Sequence, residues 1–369
     1  MIVDFNLLKP SASMEVARLA GQLKKEGRKI YPLGIGDTHF SPPKSILNKL
    51  ENLPAEFSHY TNSEGINEVR IQISKLYKNY DESNVLLVPG LKQGLYYALV
   101  SLQKSILCTI EPAWLGYEAT AILAGYEAIS VDMQSINWLE QLSLSVFEVI
   151  VICSPNNPNG KIFTEIEMNA IVSAAEKNNA WIITDFIYDR YDYDLQNHRY
   201  DTLWSYNKLI IGNGFSKSHA ITGFRVGYLI SKDKSIINKI NILQQNLATC
   251  VPSIAQYALL DLEDADSEVN ENVKYYHQNC KVVLNYFPEW KEFYPQGGFY
   301  FFIDLGIYDI KDGQTFCQNL LRDTGIALVP GQAYGKNYER YVRLSFSLDR
   351  EVLIEALKIL KNYLQNEKN

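Results

Sequence analysis

Apolar positions recur along the chain in two rhythms, and their alternation sets the expected architecture. Residues 11–27 carry apolar side chains at helical spacing and stop at Lys24-Lys25-Glu26-Gly27, a helix end. Ile66, Val69, Ile73 and Leu76 fall on one helical face, as do Leu91, Leu95, Ala98, Leu99 and Leu102. Between these patterns lie short runs that are apolar almost throughout, at 85–88, 105–110, 147–153, 180–185 and 208–212. Such runs predict strands covered on both faces by helices, and hence an α/β fold. Helical patterns over 232–262 and 266–286 follow, then strands at 299–303 and 341–346. In the latter strand Val342, Leu344 and Phe346 share one face and Arg343 takes the other. Asp349 caps a last helix that contains Leu353, Ala356, Leu357 and Leu360.

The ends of the strands carry the chemistry. Open α/β sheets bind ligands beyond the carboxyl ends of their strands, and three successive strands place Asn157, Asp185 and Lys217 there. A carboxylate ending an apolar strand needs a cationic partner. A lysine among apolar neighbours is disfavoured in its charged form, and a neutral amine can attack a carbonyl to form a Schiff base. Arg225, bracketed by Gly223 and Gly227, can hold an anion bidentately. Taken alone, this segment fits a surface lysine and a structural arginine equally well. Pro89-Gly90 leads straight into a helix at Leu91-Lys92, so backbone amides at its positive end form a phosphate cradle, a junction common in α/β folds. Trp114 follows the strand 105–110, where it either stacks on a flat ligand or packs. Ser154–Gly160 is a rigid polar turn, and Thr164 with Glu167 forms a capping box for the next helix. The turn Gly34-Ile35-Gly36-Asp37 lets backbone approach a ligand, or is a simple loop. Arg343 is either solvated or set to bind a carboxylate.

Composition narrows the class. At 369 residues the chain has room for two domains, or one large and one small. A formal net charge of -7 argues against nucleic acid or an anionic membrane as the main partner. The amino terminus has no basic region followed by a long apolar run, so no signal peptide is expected, and no stretch is apolar for long enough to span a bilayer. The five cysteines show neither metal nor disulfide spacing and fit a reducing cytosol.

Four motifs stand at strand ends in a familiar order: Asn157-Pro158-Asn159-Gly160, Asp185-Phe186-Ile187-Tyr188, Ser216-Lys217 with Gly223-Phe224-Arg225-Val226-Gly227, and Tyr341-Val342-Arg343-Leu344-Ser345. With them the chain resembles the fold-type I pyridoxal-phosphate enzymes, most closely the class I/II aminotransferases, from about Lys9 to the final helix. The resemblance implies a three-layer large domain (residues 40–265) on a mainly parallel seven-stranded sheet. It also implies a smaller α+β domain made of 1–39 and 266–369. Lys217 would carry the Schiff base and move a proton between the substrate α-carbon and the cofactor. Asp185 would pair with the pyridine nitrogen, Tyr188 and Asn157 would bond the phenolic oxygen, and Trp114 would stack on the ring. Arg225, Ser216, the Leu91 and Lys92 amides and the partner subunit's Tyr60 would hold the phosphate. Arg343, helped by the Gly36 backbone, would clamp the substrate α-carboxylate, and Asn157 would line the substrate side as well.

The implied protein is a cytoplasmic homodimer with shared active sites that moves an amino group from an L-amino acid to a 2-oxo acid. The same motifs serve elimination, cyclisation or oxidation in relatives that act on guanidino amino acids, and a regulator or scaffold can keep the fold without turnover. Three departures from the family pattern stand out: Gly214 replaces a usual serine, Leu91 a usual small residue, and Asp37-Thr38-His39 the commoner Glu-Pro-Asp. His39 is either a pocket acid or base or a hydrogen-bonded loop histidine, and His219 is expected to pack beside the lysine.

Overall fold

The computed structural model describes residue 8 and residues 12–193 and 200–366. The expectation of no signal peptide at the amino terminus falls on residues 1–7, which lie outside them. Seven strands form the larger sheet: β1 (Val85–Val88), β2 (Ile106–Glu111), β3 (Glu127–Asp132), β4 (Val149–Cys153), β5 (Trp181–Asp185), β6 (Leu209–Gly214) and β7 (Gly227–Ile230). A smaller sheet holds β8 (Tyr300–Asp304), β9 (Val329–Pro330) and β10 (Tyr341–Ser345).

The large sheet runs in the order β1-β7-β6-β5-β4-β2-β3. Strands β3, β2, β4, β5 and β6 pair in parallel, which brings the carboxyl ends of β4, β5 and β6 side by side. Only β7 runs the other way, between β6 and β1. Every residue of β1, β4 and β6 is buried. Along β4 alternate side chains enter different cores: Val149 and Val151 join the cluster with Leu86 and Ile210, while Ile150 and Ile152 join the one with Leu87 and Ile211. That division explains the uninterrupted apolar runs, since helices cover both faces.

The amino-terminal segment lies along the carboxy-terminal sheet. Tyr31 N donates to the Gly325 carbonyl at 2.9 Å, and Ser345 N donates to the Leu33 carbonyl at 2.6 Å. These bonds carry Gly36 to the Arg343 strand.

Several expectations shift. The first helix spans Ala12–Lys25. Helix Asn67–Lys75 stops one residue before Leu76, which is 64% exposed instead of joining the apolar face with Val69 and Ile73. The region 232–262 splits into Lys234–Leu247 and Ser253–Tyr257, because Pro252 cannot continue a helix hydrogen-bond ladder. The edge strand β3 was not anticipated: three of its six residues are half-buried and two are exposed or nearly so in a mixed order, which blurs any two-residue rhythm. The helix at Asp266–Tyr286 and the Thr164–Glu167 capping box stand as expected.

Candidate active site

One cavity of about 930 Å³ opens beyond the carboxyl ends of β4, β5 and β6. It is lined by Gly36, Leu91, Lys92, Trp114, Asn157, Asp185, Tyr188, Ser216, Lys217, Arg225 and Arg343. The sequence-derived site residues thus converge, with one exception. Tyr60 is outside the cavity lining and 83% exposed.

Lys217 follows β6 and is half-buried; its amine donates to the Gly36 carbonyl at 2.6 Å. Burial lowers its pKa, while the Asp37 charge, and less so that of Asp185, pulls the other way. Asp185 ends β5 and is buried, which raises its pKa. Two donors oppose that rise: the Tyr117 hydroxyl at 2.7 Å on one carboxylate oxygen and the Ile187 amide at 3.2 Å on the other. A buried carboxylate that accepts two hydrogen bonds at the floor of a cavity calls for a cation from a ligand.

At the other side the helix Leu91–Leu102 begins at Gly90, which has φ 80° and no side-chain cap. The first amides of a helix have no partner within it, so those of Leu91 and Lys92 suit an anion. A Cβ on Gly90 would lie 2.4 Å from the Arg225 guanidinium, so the arginine sits directly against this helix terminus. Arg225 adopts a left-handed conformation with φ 54° and donates to the Thr222 carbonyl at 2.8 Å. The antiparallel course of β7 delivers it there, since Gly227 pairs with Val88 at the end of β1.

On the facing wall Arg343 is 4% exposed. Its guanidinium donates to Asn157 Oδ1 at 3.0 Å and to the Gly34 carbonyl at 2.8 Å. Its Nε is buried and has no hydrogen-bond partner among the described residues. The rings of Tyr300 and Tyr334 lie 4.2 and 5.3 Å from the guanidinium carbon. The alternative left open for Arg343 is decided: it is not solvated.

Tyr117 and Tyr300 were missed from sequence. Tyr117 meets Trp114 edge-on, with centroids 5.3 Å apart, and bonds Asp185. Tyr300 bonds the Tyr188 hydroxyl at 2.9 Å. The only sequence signal for Tyr117 was its place three residues after Trp114. His39 lies off the cavity lining and its Nδ1 is 2.9 Å from the Tyr276 hydroxyl, the bland alternative. His219 packs edge-on against Phe215, and burial pushes its pKa down to about 4.

An amine, a carboxylate awaiting a cation, an indole wall and a helix terminus backed by arginine together match pyridoxal phosphate. Each matches a different part of it: aldehyde, ring nitrogen, ring face and phosphate. The Aminotransferase class I and II family matches residues 28–360. The chain belongs to this family. It is therefore a pyridoxal-phosphate-dependent aminotransferase, with an amino acid and a 2-oxo acid as substrates. Over 95% of the chain and 96% of the relative it is 32% identical to a (5-formylfuran-3-yl)methyl phosphate transaminase of Methanocaldococcus jannaschii. It is 31% identical to an aspartate aminotransferase of Thermotoga maritima, covering 96% of this chain and 97% of the other. A solved Methanococcus jannaschii structure, described as similar in its active site to kynurenine aminotransferases, superposes with a TM-score of 0.88 at 31% identity. That match covers 99% of this chain and 100% of the other. Among the described residues no helix is long and apolar enough to cross a membrane.

Proposed function

We propose that this aminotransferase acts on substrates with a second anionic group, an acidic amino acid such as aspartate on the donor side. Bound pyridoxal phosphate supplies the electron sink that eases loss of the hydrogen from the amino-bearing carbon. Lys217 Nζ moves that proton, and Asp185 keeps the ring nitrogen protonated. Tyr188 and Asn157 donate to the phenolic oxygen, and Trp114 covers one ring face. Arg225, Ser216 and the amides of Leu91 and Lys92 hold the phosphate. Arg343, with the Gly36 backbone, takes the α-carboxylate. In this reading residues 40–265 carry the cofactor, while 1–39 with 266–369 bring Gly36 and Arg343 to the substrate.

One observation carries the choice of substrate. Lys92 lines the same cavity, with its ammonium 5.4 Å over the Trp114 ring. The phosphate, the aldehyde and the α-carboxylate already engage Arg225, Lys217 and Arg343, which leaves the Lys92 side chain for another anion. The named substrates of the two relatives, aspartate and a furanylmethyl phosphate, each carry an anionic group away from the reacting carbon. Lys92→Gln should raise the KM for aspartate about tenfold, equivalent to about 1.4 kcal/mol, and leave alanine unaffected. An equal loss for both amino acids would sink the reading.

The exposed aromatic ring of Tyr60 supports a homodimer in which the partner subunit's Tyr60 completes the phosphate site. Five free cysteines suit work in a reducing cytoplasm.

A further inference from the structure

The hydroxyls of Tyr188 and Tyr300 lie 2.9 Å apart, and either atom can be the donor. Each phenol has a single proton, so the direction of this bond decides where the other proton goes. Both side chains are buried. Among the described residues the Tyr300 hydroxyl bonds only Tyr188. It is wedged against the amino-terminal segment, where a Cβ on Gly36 would stand 2.8 Å from it. Were Tyr188 the donor, its one proton would be spent on Tyr300, and only the Tyr300 proton would be left to face the cavity, which Tyr300 also lines. With Tyr300 as donor, every proton has a place: Tyr300 gives to Tyr188, and the Tyr188 proton is turned into the cavity.

The Arg343 cation points the same way. Its guanidinium carbon lies 4.2 Å from the Tyr300 ring centroid. A cation on the face of a phenol withdraws electron density and makes its hydroxyl the better donor. The strand register sets this contact: Tyr300 pairs with Ser345, two residues from Arg343, so both side chains project from the same face of the small sheet.

We propose that Tyr300 donates to the Tyr188 hydroxyl and so is a positioning residue that aims the Tyr188 proton at the cofactor's phenolic oxygen. The proposal rests on the reading that Tyr188 donates to that oxygen. The titratable and charged groups around the pair are Arg343 on β10, Tyr334 after β9, Cys153 at the end of β4, Asp37 on the entering segment, and Tyr191 and Tyr276. Among the described residues none of the last five hydrogen-bonds the Tyr188 or Tyr300 hydroxyl, so the pair can be perturbed separately.

The test is the pH titration of the visible absorbance of the pyridoxal-phosphate-loaded enzyme. Donation to the phenolic oxygen draws off density that otherwise holds the neighbouring proton, so losing it raises the titration midpoint. Tyr188→Phe should raise the midpoint; if it does not, the reading of Tyr188 fails and the proposal falls with it. Tyr300→Phe should raise it too, by less than Tyr188→Phe but by about half a unit or more. The double variant should match Tyr188→Phe alone, because Tyr300 acts through Tyr188. A midpoint unmoved in Tyr300→Phe, with Tyr188→Phe shifted, would overturn the proposal and spare the reading. Additive shifts in the double variant would overturn it as well. Phenylalanine keeps the ring beneath Arg343, so the KM for the amino acid should change less than about twofold, whereas Tyr300→Leu should raise it severalfold. Equal KM losses in the two variants would make Tyr300 a packing residue for Arg343 only.

Discussion

The Lys217 amine donates to the carbonyl oxygen of Gly36 across 2.6 Å, joining a strand end of the large sheet to the amino-terminal segment 181 residues away. With that bond and the opposing pull of Asp37, burial still leaves the amine less basic than usual. The cofactor-free folded protein therefore holds fewer protons than the unfolded chain between the lowered pKa and the ordinary 10.5. Where the unfolded state binds more protons, stability rises with pH.

Lys217→Met should thus make the cofactor-free protein more stable than the parent at pH 7, with the gap closing as pH rises towards 10.5. Thermal unfolding of both proteins over that range measures it. A gap independent of pH would assign the gain to packing. The variant should also lose covalent cofactor labelling after borohydride reduction.

Asp185→Asn should bind pyridoxal phosphate yet lose at least about 10²–10³ in kcat, as for loss of a key electrostatic partner. An amide cannot keep the ring nitrogen protonated, and its single oxygen cannot accept from both the Tyr117 hydroxyl at 2.7 Å and the Ile187 amide at 3.2 Å, as the carboxylate does. Single-turnover rates with saturating amino acid report the change. An unchanged rate would remove Asp185 from the chemistry.

Gly90→Ala strikes the proposed phosphate site alone. The backbone at φ 80° and ψ 147° lies in a region kept almost wholly to glycine and costs an alanine about 1–3 kcal/mol, and its Cβ would press on the Arg225 guanidinium at 2.4 Å. Cofactor affinity, followed by absorbance titration, should fall at least about tenfold. An undiminished affinity would place the phosphate elsewhere.

If the partner subunit's Tyr60 completes each site, inactive Lys217→Ala protein mixed with an inactive Tyr60→Ala protein should regain activity. Each mixed dimer would have one site with both lesions and one with neither. Recovery close to one quarter of the parent rate is expected for random exchange. Failure to recover, once subunit exchange is shown by mass, would count against a shared site.

The ends of the central strands were legible because covered strands demand apolar runs, which make Asp185 and Lys217 conspicuous where the runs stop. Arg343 showed itself by facing away from Val342, Leu344 and Phe346. Tyr117 and Tyr300 did not, because their partners lie 68 and 112 residues away and the chain has 25 tyrosines among which nothing marks these two. Leu76 misled because a helical face was read one residue past the helix end. The half-exposed edge of the sheet at β3 left no clear rhythm at all.

The reversed strand β7 turns the stretch from Lys217 to Gly227 into a ruler. In the proposed reading one end bears the amine for the cofactor's aldehyde side, and the other returns Arg225 to the helix terminus that would take its phosphate. The span between them must therefore match the length of one small molecule. Loops transplanted from relatives should be tolerated here only at unchanged length, and a new chain terminus placed inside the stretch would uncouple the two grips even if every side chain were kept.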